Sequence, residues 1–183
     1  MNGLETILNI TSCQLSEAGV DCILIGGFAV NYYGYTRNTL DIDFMIFTEQ
    51  LAIVRDIMTQ SGFTNITIED TVAFFNNPDL PMRIDFLRVD KDTIQKLSAN
   101  AIKANIHGYE IKIPALKDLI AMKVFSLSQN TARRMAKDLP DIAYLCVLNS
   151  LDLKSDILPL CNRFGTPEVY NLISSQVKEM VKP

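Results

Sequence analysis

The chain has 183 residues, 48% hydrophobic and 21% charged, with a net charge of −4. This is enough for one sizeable domain, or one domain with a smaller appended lobe, and too apolar for a disordered chain. A pI near 5.0 argues against a broad basic groove for duplex DNA.

The start, Met1-Asn2-Gly3-Leu4-Glu5, shows no basic stretch followed by an apolar core. No apolar run reaches the about 20 residues of a membrane span. A cytoplasmic protein without membrane contact is expected. Cys13, Cys22, Cys146 and Cys161 form no C-x-x-C pair and read as reduced thiols. His107 is the single histidine, and His107-Gly108 reads as a hairpin tip.

In chain order, Leu4, Ile7, Leu8 and Leu15 at helical spacing predict a helix over 4–18, ended by Gly19. Cys22 to Ile25 predicts a short buried strand. Gly26-Gly27 ends it, and a short helix over 28–33 closes at Gly34. Leu40 to Phe47 is the second strand. Thr48 is placed to cap a helix over 49–60. Strands follow at 64–68, 71–75 and 82–89, then a helix from Asp90 to about 101. Two strands, 102–106 and 109–113, flank His107-Gly108. After Pro114 the pattern is helical, at 116–128, 140–148, 154–163 and 167–181. The expected division is a catalytic domain over 1–113 and a helical lobe over 114–183. The fold class is α/β (α+β), a mixed sheet with flanking helices plus the C-terminal helical lobe.

The residues that suggest chemistry lie on two of these strands. Asp41 and Asp43 are spaced i, i+2, so a strand points both carboxylates to one face. Such a pair repels itself and resists burial unless a cation sits between. Asp85 lies mid-strand in Arg83-Ile84-Asp85-Phe86-Leu87, among residues that read as core. Three strand carboxylates make an oxygen-rich set suited to Mg²⁺, with Mn²⁺ as a substitute. Such an ion keeps some waters and takes phosphate oxygens as further ligands. Two such ions could activate an attacking hydroxyl and stabilise departing pyrophosphate. Gly26-Gly27 after a strand lets a phosphate approach backbone N–H groups closely.

The order of these features resembles a family. Ile25-Gly26-Gly27 with Asp41-Ile42-Asp43 and Asp85 resembles the signature of the DNA polymerase β-like nucleotidyltransferases. The string Gly26-Gly27-Phe28-Ala29-Val30, Tyr33-Gly34, Arg37-x-Thr39-x-Asp41-Ile42-Asp43 is similar to the small prokaryotic branch containing the AbiEii-type toxins. The likeness continues through Leu119-Ile120-Ala121-Met122-Lys123, Arg133 or Arg134, and Lys137-Asp138-Leu139-Pro140-Asp141-Ile142, roughly residues 20 to 145. Gly27 stands where the family usually has serine, and Pro140 where many relatives have another residue.

The resemblance implies a metal-dependent nucleotidyltransferase. It would move an NMP from an NTP, ATP among them, to a hydroxyl of a tRNA, a protein or a small molecule. A toxin role with an antitoxin partner is implied as well. Gly26 and Gly27 would hold the triphosphate, with Arg37 and Thr39 in the nucleotide-binding set. Asp41, Asp43 and Asp85 would ligate metal, Asp85 also serving as a base. Lys123 would neutralise the triphosphate, and Asp138 is the matching acid of the C-terminal motif. The alternative is a catalytically inactive nucleotide- or metal-binding regulatory module of the same fold.

Plainer roles stand beside these. Arg37 either pairs with Asp41 or Asp43 at the surface or contacts phosphate. Lys123 shares a helix face with Leu116, Ile120 and Leu127, and either snorkels from that apolar stripe or finds a ligand or an acid. Asp138 is a helix cap, a functional acid or both, since Pro140 suits a first turn. Asp141 reads as an acid that braces the lobe. Tyr32, Tyr33 and Tyr35 read as packing, and Arg133-Arg134 with Lys137 as a solvated helix end.

Overall fold

Among residues 3–182, which the computed structural model describes, seven strands join into one mixed sheet. Met1 and Asn2 of the N-terminal stretch considered above, and Pro183, lie outside that range. The chain divides into two compact units. One comprises the residues up to Ala29 with Asn38–Ala115, and the other Val30–Arg37 with the residues from Leu116 onward. Residues 30–37 cluster with the helical unit.

The first unit opens with helix α1 (Gly3–Asn9). It widens into a π-helical stretch, Ile10–Gln14, and ends with the turn α2 (Leu15–Glu17). Ile7, Leu8, Ile10 and Leu15 are buried, as the spacing predicts. At the widening, the hydroxyls of Thr11 and Ser12 donate to the carbonyls of Ile7 (2.9 Å) and Leu8 (2.6 Å), a pattern that loosens and bends helices.

Strand β1 (Ile23–Leu24) leads into helix α3 (Gly26–Tyr32). Strand β2 (Asp41–Phe47) alternates as expected, with Ile42, Phe44 and Ile46 fully buried and Asp41 and Asp43 on the other face. Then come α4 (Leu51–Gln60), β3 (Asn65–Ile68), β4 (Val72–Asn76), β5 (Arg83–Val89) and α5 (Lys91–Asn100). The hairpin β6 (Ile102–Ile106) and β7 (Tyr109–Ile113) completes the unit. The strand order is β3-β4-β5-β2-β1-β7-β6.

Two caps behave differently. Asp90 accepts the Thr93 N–H at 2.9 Å and starts α5. Thr48 does not cap α4. Its hydroxyl donates to the Val89 carbonyl at 2.9 Å, and a 3-10 turn, Thr48–Gln50, precedes the helix. The end of β5 captured the hydroxyl that the local pattern assigned to the helix. His107 (φ 50) and Gly108 (φ 87) form the tip of the β6–β7 hairpin, the left-handed pair that two-residue hairpin turns require.

The second unit holds α6 (Leu116–Gln129), α7 (Thr131–Arg134), α8 (Asp138–Leu148), α9 (Leu158–Phe164) and α10 (Pro167–Met180). Helix α8 packs against α6 and α10, and α6 against α9, around Ile120, Val124, Leu127, Ile142, Leu145 and Ile173, all fully buried. The helix predicted at 154–163 begins as a π-helical turn, Leu153–Ile157, capped by Asp152.

Residues 30–37 join this unit for local reasons. The Asn31 side chain closes a loop, accepting the Arg37 N–H (3.0 Å) and donating to the Arg37 carbonyl (3.1 Å). Asn149 donates to the Tyr33 carbonyl (3.1 Å), and the rings of Tyr35 and Tyr144 stack at 4.0 Å. Among the described residues no helix is long and apolar enough to cross a membrane, and none of the four cysteines is in a disulfide.

Replacing Asn31 by Ala removes both loop bonds and should cost about 1–3 kcal/mol. Hydrogen exchange at the Arg37 amide should accelerate while β2 amides keep their protection. Unchanged exchange at Arg37 would contradict this account of the loop.

Candidate functional site

Gly26 is demanded by geometry. Its φ is +64, a conformation that residues with a side chain rarely adopt, and an added Cβ would collide with Asp43 Oδ2 and lie 2.6 Å from the Asp43 carboxyl carbon. The Ile25 N–H donates to the Asp43 carbonyl at 2.8 Å. The Gly-Gly turn and the second acid of Asp41-Ile42-Asp43 are therefore in direct contact.

Strands β2 and β5 are parallel, with Asp43 opposite Asp85 and Asp41 opposite Arg83. Asp85 is 8% exposed. The three sequence-predicted carboxylates thus share one face of adjacent strands. A cation among them is Arg83. Its guanidinium forks onto Asp85, Nε to Oδ1 at 2.6 Å and Nη2 to Oδ2 at 2.7 Å. It also stands 3.5 Å from Asp41 Oδ2, and it lies over the Phe74 ring, 4.7 Å from its centroid. The hydrogen bonds to Asp85, against a partial burial cost and with help from the charges of Asp85, Asp41 and Asp43, hold Arg83 above the ordinary arginine range. A signal was available: Arg83 precedes Asp85 by two residues on one strand and so shares its face.

The donor type suits a hard divalent ion, since all three side chains offer carboxylate oxygen. Among the described residues, however, no group of three or more His, Cys, Asp or Glu side chains is gathered closely enough to hold a metal. Arg83 occupies both oxygens of Asp85 instead. Thr39 donates its hydroxyl to the Asp41 carbonyl at 3.1 Å, which steadies the start of β2.

Arg37 forks onto Asp141, Nε to Oδ1 at 2.7 Å and Nη2 to Oδ2 at 2.9 Å. Burial disfavours its charged form, but the bonds and charge of Asp141 outweigh that and raise its pKa. Lys123 does not snorkel without a ligand. Its Nζ donates to Asp141 Oδ2 at 2.6 Å and to Asp138 Oδ1 at 3.1 Å. Ser126 donates to Asp138 Oδ2 at 2.8 Å.

Asp138 is not the cap of α8. Lys137 occupies the cap position with no side-chain bond, and the Asp138 carboxylate is buried at 3% exposure. Pro140 fits the first turn, where N–H groups have no helical partner. Lys123 and Arg37 thus converge on Asp141, which is fully buried, and Arg134 stands 3.9 Å from Asp138. Asp141 braces this unit, as its spacing suggested. His107 sits at its hairpin tip, and Arg133 is exposed at the end of α7.

With this geometry in hand, the comparisons with known proteins are direct. The sequence profile described as "Nucleotidyl transferase AbiEii toxin, Type IV TA system" matches residues 12–175. No curated protein matches the chain. Among solved structures, it is similar to an antigenic nucleotidyltransferase-like protein from Paracoccidioides brasiliensis, with TM-score 0.62 and 18% identity over 97% of this chain and 88% of that one. It is also similar to ANT(2")-Ia in complex with adenylyl-2"-tobramycin, with TM-score 0.61 and 15% identity over 97% and 99% of the two chains. The lincosamide antibiotic adenylyltransferase LnuA, bound to lincomycin, aligns with TM-score 0.56 and 15% identity over 82% of this chain and 96% of that one. At these identities the structural likeness establishes the fold.

Replacing Lys123 by Met would leave Asp138 and Asp141 buried with too little positive charge, which typically costs about 3–5 kcal/mol. Urea unfolding should show a loss of that size. A loss below about 1 kcal/mol would mean the network carries little of the helical unit's stability.

Proposed function

The chain belongs to the AbiEii nucleotidyltransferase toxin family, and from that premise we propose that it transfers a nucleoside monophosphate from an NTP to a hydroxyl of an acceptor molecule. The single observation that carries this reading is the set of Asp41, Asp43 and Asp85 on paired strands, with Gly26 pressed against Asp43. In this reaction the acceptor oxygen bonds to the α-phosphorus, the bond from that phosphorus to the bridging oxygen breaks, and pyrophosphate leaves. The hydroxyl proton passes to Asp85.

Asp41 and Asp43, with Asp85, are the residues that would hold Mg²⁺. The ion would supply positive charge to the phosphates and to the leaving pyrophosphate. Gly26 and Gly27 would face the triphosphate, where no Cβ keeps the backbone away. Gly27 brings no hydroxyl, so the grip there would rest on main-chain N–H groups. Thr39 would act through the strand it steadies. Arg37, Lys123 and Asp138 would be nucleotide-binding residues, as the family likeness implies. For Lys123 to neutralise phosphate, it must exchange one of its two carboxylates for phosphate oxygens, since both now take its protons. Catalysis in this scheme is mainly positioning and charge neutralisation.

The acceptor is a tRNA, a protein or a small molecule. The two adenylyltransferases are bound to adenylyl-2"-tobramycin and to lincomycin, both small molecules, and the acidic net charge of −4 favours an acceptor that needs no broad basic surface. An antitoxin partner follows from the family's type IV toxin–antitoxin description. The family's second reading, an inactive nucleotide- or metal-binding regulator, is favoured by one observation, the hold of Arg83 on Asp85.

The test is incubation with each α-³²P-labelled NTP, Mg²⁺ and cell extract, fractionated into RNA, protein and metabolites. One fraction should become labelled, and Asp41→Ala and Asp43→Ala should each reduce labelling by at least about 100-fold, as loss of an electrostatic catalytic group does. Tight NTP binding with no label transferred would establish the regulatory reading.

A further inference from the structure

We propose that Arg83 is the resident counter-cation of the sheet carboxylates and that it competes with a divalent ion for Asp85. The inference rests on the reading of Asp41, Asp43 and Asp85 as metal donors. It adds a positioning residue that the reading does not contain.

Three carboxylates on one face of adjacent strands repel each other and need positive charge whether or not metal is bound. Arg83 supplies it. Both oxygens of Asp85 accept from its fork, and the same guanidinium reaches Asp41 at 3.5 Å. A divalent ion ligated by Asp85 would stand beside that guanidinium, and the two cations repel at such range. Ligation of metal by Asp85 therefore requires Arg83 to turn away.

The structure provides for that movement. The Arg83 side chain is 39% exposed, so the guanidinium can turn outward into water without crossing packed side chains. While forked onto Asp85 it also lies against the ring of Phe74, the residue paired with Asp85 on β4, and the exchange must overcome that contact as well. In the metal-free protein Arg83 orients Asp85 and offsets its charge. In the metal-bound protein Asp85 is a ligand and Arg83 has left it. The affinity of the site for metal is then set by this exchange as well as by the acids.

The exchange is visible by NMR of the whole chain during a Mg²⁺ titration, with the Arg83 Nε–H resonance assigned by its loss in Arg83→Lys. The expected result is a protected Arg83 Nε–H signal without metal. It is lost to solvent exchange at the Mg²⁺ concentration that shifts the Asp41 and Asp43 backbone amides. Arg83→Lys keeps the charge but cannot fork, and should bind Mg²⁺ about tenfold more tightly. If the Asp41 and Asp43 amides shift while the Arg83 signal stays protected, the exchange is overturned and the metal site stands. Unchanged Mg²⁺ affinity in Arg83→Lys counts equally against the exchange. If no amide shifts at saturating Mg²⁺, the metal reading fails and the exchange fails with it.

Discussion

Like charge on a shared strand face is the constraint from which the first unit's chemistry follows. The parallel register of β2 and β5 puts Asp43 beside Asp85 and Asp41 beside Arg83. Ile42, Phe44, Ile84 and Phe86 fill the opposite face completely, and a slip of one residue would bury the acids and expose the core. Hydrophobic burial therefore holds the carboxylates where their repulsion would not. Arg83 offsets that repulsion from the same strand, and Gly26 lets the chain pass close to Asp43.

The helical unit solves the same electrostatic problem with a different outcome. Lys123 and Arg37 meet the buried carboxylates of Asp141 and Asp138 with hydrogen bonds, and Ser126 adds one more to Asp138. Buried ion pairs of this kind add little to stability when intact and cost heavily when broken. Their value here is geometric. Arg37 fastens the end of the 30–37 segment to α8, and the Asn31 loop and the Tyr35–Tyr144 stack hold the remainder.

Much of the fold was legible wherever one periodicity dominated. The alternation in β2 and β5, the His107-Gly108 hairpin and the helix from Pro167 all appear within a residue or two of their predicted bounds. Asp41, Asp43 and Asp85 were recognisable because acids in such strands conflict with burial. What local pattern could not supply was the identity of partners. Arg37 has nearby acids in the sequence, yet its fork onto Asp141 joins residues 104 apart along the chain. Asp138 resembled a cap because Pro140 followed it, yet a lysine and a serine of α6 claimed its carboxylate. Thr48 was likewise drawn off by the end of β5. In each case a polar group had a local use and a tertiary one, and burial made the tertiary bond the stronger claim. Arg83 is the converse, a partner only two residues from Asp85 on the same strand face.

Metal and nucleotide phosphates are proposed to meet at the β2–β5 carboxylates. The decisive experiment is a crystal grown with Mn²⁺ and a non-hydrolysable NTP analogue and measured at the manganese edge. The expected result is an anomalous peak ligated by Asp41 and Asp43, with phosphate oxygens completing its coordination. A nucleotide bound elsewhere, or manganese away from these two acids, would contradict it.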